Sequence, residues 1–533
     1  MIGSIELVLG LLLAVAALAL LARRLKVAYP ILFVIGGLLL GFVPRLPILH
    51  LNPELVFVLF LPPLLYPAAF FTSWRDVHNN LRPILMLAIG LVLFTTGVVA
   101  WFAHAYIGLP LAAGFVLGAI ISPPDAVAAT SITQGLRVPR RIITILDGES
   151  LVNDATSFTT YRFAVAAVVT GAFSLGAASV KFGTVVVGGI LVGLLVGWTA
   201  ASIQRRLDDP PVQTTLSLLT PYVTYLAAEA MDVSGVLAVV VAGLYLGWRS
   251  PEILTSRMRL VAQSVWGTVV FILNGFIFIL VGLQLPEVVR NLGGHSLAQA
   301  IWLAILVLGL IVLVRIVWLF VFTYAPRLLS QQVRRRFPHP PWRHVALMSW
   351  AGMRGVDSLA AALALPLVTR SGAPFPERGL IVFLTFSVIL GTLVLQGLSL
   401  SPIIRWLRVR EDHVQEEEEL KARLQANQAA LARITELAKS RGVDDAVLGR
   451  LRTEYEDRIH QLAAREPGNG EMKFSLFSPE YEQLSREGLE EERRTILQLR
   501  NERVINDNVL RRVQKDIDLA EARLQRRDGE FGK

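Results

Sequence analysis

The chain is dominated by long apolar segments joined by short loops, and this pattern constrains its fold more than any other feature. A helix needs roughly 20 apolar residues to cross the hydrocarbon layer of a bilayer. Thirteen candidate segments lie at about 5–22, 29–43, 53–71, 83–105, 109–132, 148–170, 182–202, 213–230, 233–247, 262–285, 298–324, 343–368 and 378–400. The chain is 53% hydrophobic and 17% charged, with a mean hydropathy of +0.54, which no ordinary soluble domain shows. We therefore predict an all-α membrane protein with 13 transmembrane helices.

Positive charge alternates between successive loops, as expected when Lys and Arg remain on the cytoplasmic side. Most of it follows the odd-numbered segments. The opposite loops hold only Arg45, Lys181, Arg290, Arg370 and Arg378. This predicts a multi-pass protein of the cell inner (plasma) membrane, with its N-terminus outside and its C-terminal tail in the cytoplasm. The segments 213–230 and 233–247 must then be two helices, because merging them would destroy the alternation.

The composition divides the chain into a transmembrane domain, residues 1–404, and a helical tail, residues 405–533, with a candidate regulatory role. The tail is rich in Glu, Arg, Leu, Gln and Ala. One amphipathic seam has the four-and-three spacing of a helix or short coiled coil and contains Leu420, Leu424, Asn427, Leu431, Ile434 and Ala438. A break near 467–470 and 478–479 precedes a second helical stretch at about 481–527. Two heptads are too few to specify a partner, so packing on itself or on cytoplasmic loops is favoured over a dimerisation coil.

Composition also excludes several classes of function. The net charge of +9 comes from short loops between apolar segments, so it orients a membrane protein and does not indicate nucleic-acid binding. The absence of cysteine excludes disulfides, thiolate metal sites and cysteine nucleophiles. The transmembrane domain contains no zinc-ligand spacing, nucleophile motif or phosphate loop, which argues against an enzyme.

Ionisable residues inside the apolar segments are the candidate functional residues. Each costs at least roughly 2.5–3.5 kcal/mol at a helix centre, so such residues usually pair with one another or line a watery path. For any single residue a structural ion pair is an equally good interpretation, but a set of seven favours function. The set consists of Asp125, Glu149, Asp154, Arg162, Arg315, Arg354 and Asp357.

Two of these segments are predicted to be broken in the middle. Pro123 and Pro124 remove backbone donors directly before Asp125, and non-helical backbone at that depth is tolerated only where it is buried in protein or lines a cavity. Residues 352–357, Gly-Met-Arg-Gly-Val-Asp, form the second candidate break. The two broken helices are each fifth in a set of six if segments 1–6 and 8–13 are inverted repeats. Such repeats place a site where the discontinuous helices cross.

The sixth segment carries three polar positions with different directions. Ser150 and Asp154, at i and i+4, share a helical face. Glu149 is five residues from Asp154, so it faces elsewhere. Arg315, in the middle of the eleventh segment, is the cation available to pair with Glu149.

These residues resemble those of the monovalent cation/proton antiporters, a family that includes bacterial sodium/proton antiporters and animal sodium/proton exchangers. The matching strings are Ser-Pro-Pro-Asp-Ala-Val-Ala at 122–128, Gly-Glu-Ser-Leu-Val-Asn-Asp at 148–154 and Gly-Met-Arg-Gly at 352–355. Arg315 within 313–317 and Gln-Gly at 396–397 are also similar. The resemblance spans roughly residues 5–405, and the Glu-Ser-x-x-Asn-Asp string is its most specific part. The tail resembles no family that we can name.

The resemblance implies that Asp154 binds a sodium ion and a proton alternately. Ser150, Asp125 acting through water, and the backbone near Pro124 would complete the site. Asn153 would be the neutral neighbour associated with one-for-one, electroneutral exchange.

The resemblance also implies a buried ion pair between Glu149 and Arg315. The implied fold has 13 helices that form a dimerisation domain and a core that moves as an elevator, in a homodimer surrounded by membrane lipid. No cofactor is implied, since sodium and the proton are the transported substrates.

One residue departs from the family pattern. Asp357 follows the Gly-x-Arg-Gly string, where the family usually has apolar or small residues. We favour pairing of Asp357 with Arg354, three residues earlier, if the segment is helical there; a third cation ligand is the alternative. Potassium/proton exchange remains open, because the same oxygens serve both ions. An ion channel is the weaker alternative, because broken helices favour alternating access.

Overall fold

A computed structural model describes residues 2–25, 27–42, 53–125, 138–292, 294–329, 331, 340–409, 414–464 and 479–531. Within these residues the regular secondary structure is helical, and β structure is limited to an isolated bridge between Val368 and Pro374. The helices of the transmembrane domain are α1 Ile2–Leu25, α2 Tyr29–Gly41, α3 Pro53–Phe70, α4 Trp74–Asn79, α5 Leu81–Ile107, α6 Leu111–Ile121, α7 Arg140–Thr170, α8 Leu175–Gln204, α9 Pro210–Ala230, α10 Gly235–Ile253, α11 Ser256–Leu283, α12 Leu285–Arg290, α13 Leu297–Leu329, α14 Trp342–Trp350, α15 Val356–Leu363 and α16 Arg378–Leu407. The all-α prediction is confirmed for this part of the chain.

Seven helical stretches in the described residues are long and apolar enough to cross a membrane. They lie within α1, α5, α8, α10, α11 continuing through α12, α13 and α16. Three shorter apolar helices accompany them, namely α2, α6 and the part of α3 from Phe57 onward. Predicted segments 213–230 and 233–247 are separate helices, α9 and α10, joined by a tight turn in which Asp232 has a φ of 55°.

The predicted start of the sixth segment was wrong, whereas both predicted breaks are present. The sixth segment was expected to begin at about 148, but α7 begins at Arg140, directly after Pro139. Proline is favoured at a helix start because its φ is already helical and its missing donor is not needed there. In the segment 109–132 the predicted break is present, because α6 ends at Ile121 and Ser122 to Asp125 are not helical; residues 126–132 lie outside the described residues. The segment 343–368 divides into α14 and α15, with a non-helical stretch at 351–355.

The transmembrane helices pack as two groups. In the first, named the site bundle, α5, α6 and α7 pack together and against α13 to α16, with α4 lying on α7. In the second, named the frame bundle, α2 packs along α11, and α10 packs against α3, α8 and α9. The bundles meet where α7 touches α10 and where α15 touches α3. The broken helices therefore lie in one bundle, and the second of them contacts the other bundle through α15.

Close packing inside the site bundle depends on a small residue in α6. A Cβ on Gly118 would lie 2.5 Å from the backbone oxygen of Thr96 in α5, well inside van der Waals contact. Only glycine therefore lets α5 and α6 approach this closely. The contact fixes the end of α6, which is where the first break begins.

In its described residues the tail forms four helices, not two helical stretches. They are α17 Val414–Arg441, α18 Asp445–Ala464, α19 Pro479–Asn501 and α20 Asp507–Phe531. Of the predicted seam, Asn427, Ile434 and Ala438 are buried. Ala422, Ala426 and Ala430 lie at its centre with them, because small residues let α19 pack closely on α17. The predicted break at 467–470 and 478 lies outside the described residues.

Candidate functional site

The two breaks cross each other inside the site bundle. The backbone N–H of Asp125 donates a hydrogen bond of 2.7 Å to the carbonyl of Met353. This bond joins the non-helical stretch after α6 to the non-helical stretch before α15. Because each stretch lacks its own helical hydrogen bonds, the crossing satisfies backbone groups that would otherwise be buried unpaired.

Two glycines of the 352–355 string make this crossing possible. A Cβ on Gly355 would lie 2.7 Å from both Cβ and Oδ2 of Asp125. A Cβ on Gly352 would lie 2.5 Å from Cδ of Arg315. The spacing of the two glycines is thus explained by two charged side chains, one from α13 and one from the first break, that pass directly against this backbone.

Helix α7 holds the first break in place from the other side. Asn153, which is fully buried, donates from Nδ2 to the carbonyl of Pro124 at 2.7 Å. Ser157 Oγ donates to the carbonyl of Ala119 at the end of α6, also at 2.7 Å. Asn153 therefore positions the break, a role that the sequence pattern did not indicate. Its Oδ1 is buried and accepts no hydrogen bond from the described residues.

Asp154 follows Asn153 on α7 and is 6% exposed. Its carboxylate lies within electrostatic reach of Asp125 and Asp357, whose charges also repel each other. Three carboxylates from α7, the first break and the start of α15 thus converge. Ser150 is one helical turn before Asp154, on the same face of α7 as the i and i+4 spacing predicts. Its side chain is half-buried.

Glu149 faces away from these carboxylates, toward α13. Arg315 donates from its two terminal nitrogens to the two carboxylate oxygens of Glu149, at 2.6 and 2.8 Å. Both side chains are 1% exposed. Arg315 also donates from Nε to the carbonyl of Met348 in α14, at 3.3 Å. This fork-shaped pair joins α7, α13 and α14 in the interior of the site bundle.

Arg354 does not pair with Asp357, contrary to our expectation. The pairing assumed a helix, but 351–355 is not helical, so positions i and i+3 do not share a face. Arg354 instead donates from Nε to the carbonyl of Ile121 at 3.0 Å and from its terminal nitrogens to the carbonyls of Ser122 and Gly352. It therefore binds the carbonyls at the end of α6, which α6 itself leaves unsatisfied.

Sequence reasoning missed Thr392 at this site. Its hydroxyl accepts a hydrogen bond of 3.0 Å from the backbone N–H of Arg354. Thr392 begins a π-helical turn, Thr392–Gln396, within α16, and such turns are common at functional sites. Both polar side-chain atoms of Gln396, at the end of this turn, are buried without a hydrogen-bond partner among the described residues. A lone threonine in an apolar segment gives no signal of this kind.

Two interrupted helices cross beside a buried acid inside an apolar helical body. These features define the class of polytopic membrane proteins with discontinuous helices. The family model described as sodium/hydrogen exchanger, transmembrane, matches residues 10–406. The chain belongs to this family, which consists of transporters and not of enzymes, and the resemblance seen in the motifs is confirmed.

Named relatives support the assignment. The chain is 38% identical to an uncharacterized Na(+)/H(+) exchanger of Mycobacterium tuberculosis, covering 98% of each chain. It is 32% identical to the low-affinity Na(+)/H(+) antiporter NhaS1 of Synechocystis, covering 81% of this chain and 79% of the relative. It is 36% identical to a sodium, potassium, lithium and rubidium/H(+) antiporter of Bacillus subtilis, covering 74% and 60%.

The fold is similar to that of a solved relative. The sodium proton antiporter MjNhaP1 of Methanocaldococcus jannaschii, solved at pH 8, matches with a TM-score of 0.57 at 21% identity. The match covers 76% of this chain and 99% of that structure. It extends the likeness from the motifs to the architecture of the membrane body.

Proposed function

We propose that this chain exchanges sodium for protons across the cytoplasmic membrane, one for one, with Asp154 binding either ion in turn. The observation that carries the proposal is the position of Asp154, buried beside the crossing of two non-helical stretches in a member of the exchanger family. In this proposal carboxylate, hydroxyl and carbonyl oxygens bind the cation there, as unwound backbone does in transporters. Ser150, Asp125 and the backbone near Pro124 complete the site in this proposal.

Charge balance explains why the two fluxes are coupled. Asp154 carrying sodium and Asp154 carrying a proton have the same net charge, whereas the empty carboxylate is one unit more negative. Moving that extra charge through a medium of low dielectric constant is costly. The loaded forms therefore cross and the empty form does not, which produces exchange.

The geometry suggests how access alternates. We propose that the site bundle moves against the frame bundle as an elevator, so that the crossing opens to one side at a time. The complete architecture in this proposal has 13 spanning helices in two inverted six-helix repeats. It is a homodimer embedded in lipid, with its N-terminus outside and its tail in the cytoplasm.

A transport assay tests the proposal directly. The purified full chain is placed in lipid vesicles containing a pH-sensitive dye, and outward or inward gradients of sodium, lithium or potassium are imposed. Sodium gradients should drive proton movement at a rate that clamping the membrane voltage does not change. The absence of proton movement with every cation would reject the proposal.

Potassium/proton exchange is the second candidate. The relative in Bacillus subtilis is named for sodium, potassium, lithium and rubidium together, and oxygen ligands suit all of these ions. In the same vesicles, a potassium response as large as the sodium response would favour this candidate. A sodium response at least about tenfold larger at equal concentration, about 1.4 kcal/mol of discrimination, would favour sodium.

Substitution of Asp357 tests whether the third carboxylate contributes to cation binding. Its negative charge acts on Asp154 and Asp125, so Asp357→Asn should weaken the attraction for a cation at the crossing. We expect the half-saturating sodium concentration to rise by about tenfold, as one nearby charge predicts at an intermediate dielectric. Glu377→Gln is the matched control, because Glu377 is exposed and pairs with His295 at 2.9 Å. Equal sodium dependence in the two variants would show that Asp357 takes no part.

A further inference from the structure

The tail contacts both bundles and the segment that links them. We propose that it is a brace, which holds the two bundles in one relative position and slows exchange until its contacts release. This inference rests on the proposed function, because a brace limits the rate only if the bundles move against each other. The contacts that carry it come from three parts of one folded unit.

The tail is rigid enough to act as one body. Ala426 of α17, Ile496 of α19 and Val513 of α20 belong to one buried apolar cluster. Asn506, just before α20, donates to Glu418 Oε2 at the start of α17, at 2.6 Å, and Arg423 forms an ion pair with Asp516. A force on α17 is therefore transmitted to α20 without a flexible joint between them.

The first contact joins the tail to the site bundle. Glu418 lies 3.6 Å from Arg75 in α4 and 3.5 Å from Arg140 at the start of α7. Arg140 also pairs with Asp76 of α4, so α4 and α7 move together. Asp154 lies further along the same helix α7, which connects this contact physically to the ion site.

The second contact joins the tail to the link between the bundles, where α3 of the frame bundle is followed by α4 of the site bundle. Asp507 accepts from Ser73 Oγ at 3.1 Å. Arg511, one turn later on α20, donates to the carbonyls of Phe70 and Thr72 at 3.3 and 3.0 Å. The carbonyls at the end of α3 are thus bound by the tail.

The third contact joins the tail to the frame bundle. Arg259 at the start of α11 donates to both carboxylate oxygens of Asp518, at 3.0 and 2.5 Å, and Asp518 is 2% exposed. Arg500 donates to the carbonyl of Trp248 in α10 at 2.8 Å and lies over its indole ring at 5.6 Å. Movement of α7 relative to α11 must therefore break either the Glu418 contacts or the contacts of Asp518 and Arg500.

The test uses full-length variants that cut one end of the brace. Glu418→Gln weakens the contact with the site bundle and Asp518→Asn the contact with the frame bundle. Each should raise the initial exchange rate at saturating sodium about threefold or more, as expected when an ion pair opposes a movement, with the half-saturating sodium concentration unchanged. The double variant should be no faster than the faster single variant, because releasing either end frees the bundles.

The control is Glu456→Gln, which removes an exposed ion pair with Arg452 inside the tail and should leave the rate unchanged. A purely structural role of the contacts would lower both the rate and the thermal stability. If the native chain exchanges ions while both brace variants match the control or are slower, the brace is overturned and the proposed function stands. If the native chain shows no exchange, both are overturned.

Discussion

Asp154→Asn is expected to abolish exchange, by about a hundredfold or more, while the protein remains folded. Asparagine keeps the size of the side chain but can neither ionise nor take up a proton. It therefore removes both states between which the proposed site alternates. The measurement is proton movement driven by a sodium gradient in lipid vesicles, with thermal unfolding of the same preparation as the test of folding.

The matched control is Asp232→Asn. Asp232 is an acid at the exposed turn between α9 and α10, where it pairs with Lys181, far in sequence from every residue of the crossing. It should exchange at the native rate. If Asp154→Asn retains pH-dependent sodium exchange comparable to this control, the assignment of the ion-binding carboxylate is wrong.

Glu149→Ala should instead cause a large loss of stability. The substitution leaves Arg315, which is 1% exposed, as a buried charge without its carboxylate, and such losses typically cost 3–5 kcal/mol. We expect a clearly lower thermal midpoint in detergent. Replacing both partners, with Glu149→Gln and Arg315→Met together, should recover much of the loss, because no unpaired charge then remains.

An exposed pair offers the comparison. Arg162 and Glu229 lie 2.8 Å apart with side chains 50% and 30% exposed, so Glu229→Ala should cost only about 0–1 kcal/mol. A thermal midpoint for Glu149→Ala that equals that of Glu229→Ala would show that the buried pair does not stabilise the bundle.

The approximate positions of the helices could be predicted from the sequence, because each apolar segment is long and is recognised from neighbouring residues alone. The details of the breaks could not. The double proline before Asp125 indicated an interruption, but the reach of Arg354 to the carbonyls of Ile121 and Ser122 depends on backbone that is not helical. Spacing rules based on a helix therefore predicted the wrong partner for Arg354.

Contacts between distant parts of the chain were also beyond sequence analysis. Arg259 and Asp518 are 259 residues apart, and no periodicity relates them. From the sequence we predicted only that the tail packs on itself or on unspecified cytoplasmic loops. Thr392 was missed for a similar reason, since its role arises from a π-helical turn that brings its hydroxyl to the non-helical stretch 351–355.

The short length of α6 has an electrical consequence. Its 11 residues rise about 16 Å, roughly half of the hydrocarbon thickness of about 30 Å. Moving a unit charge across the whole membrane potential changes its energy by about 2.3 kcal/mol at 100 mV. An ion that reaches the tip of this half-length helix has therefore crossed about half of that potential difference. In the proposed exchange, sodium and protons that bind there would experience the same fraction, so voltage would leave the competition between them unchanged.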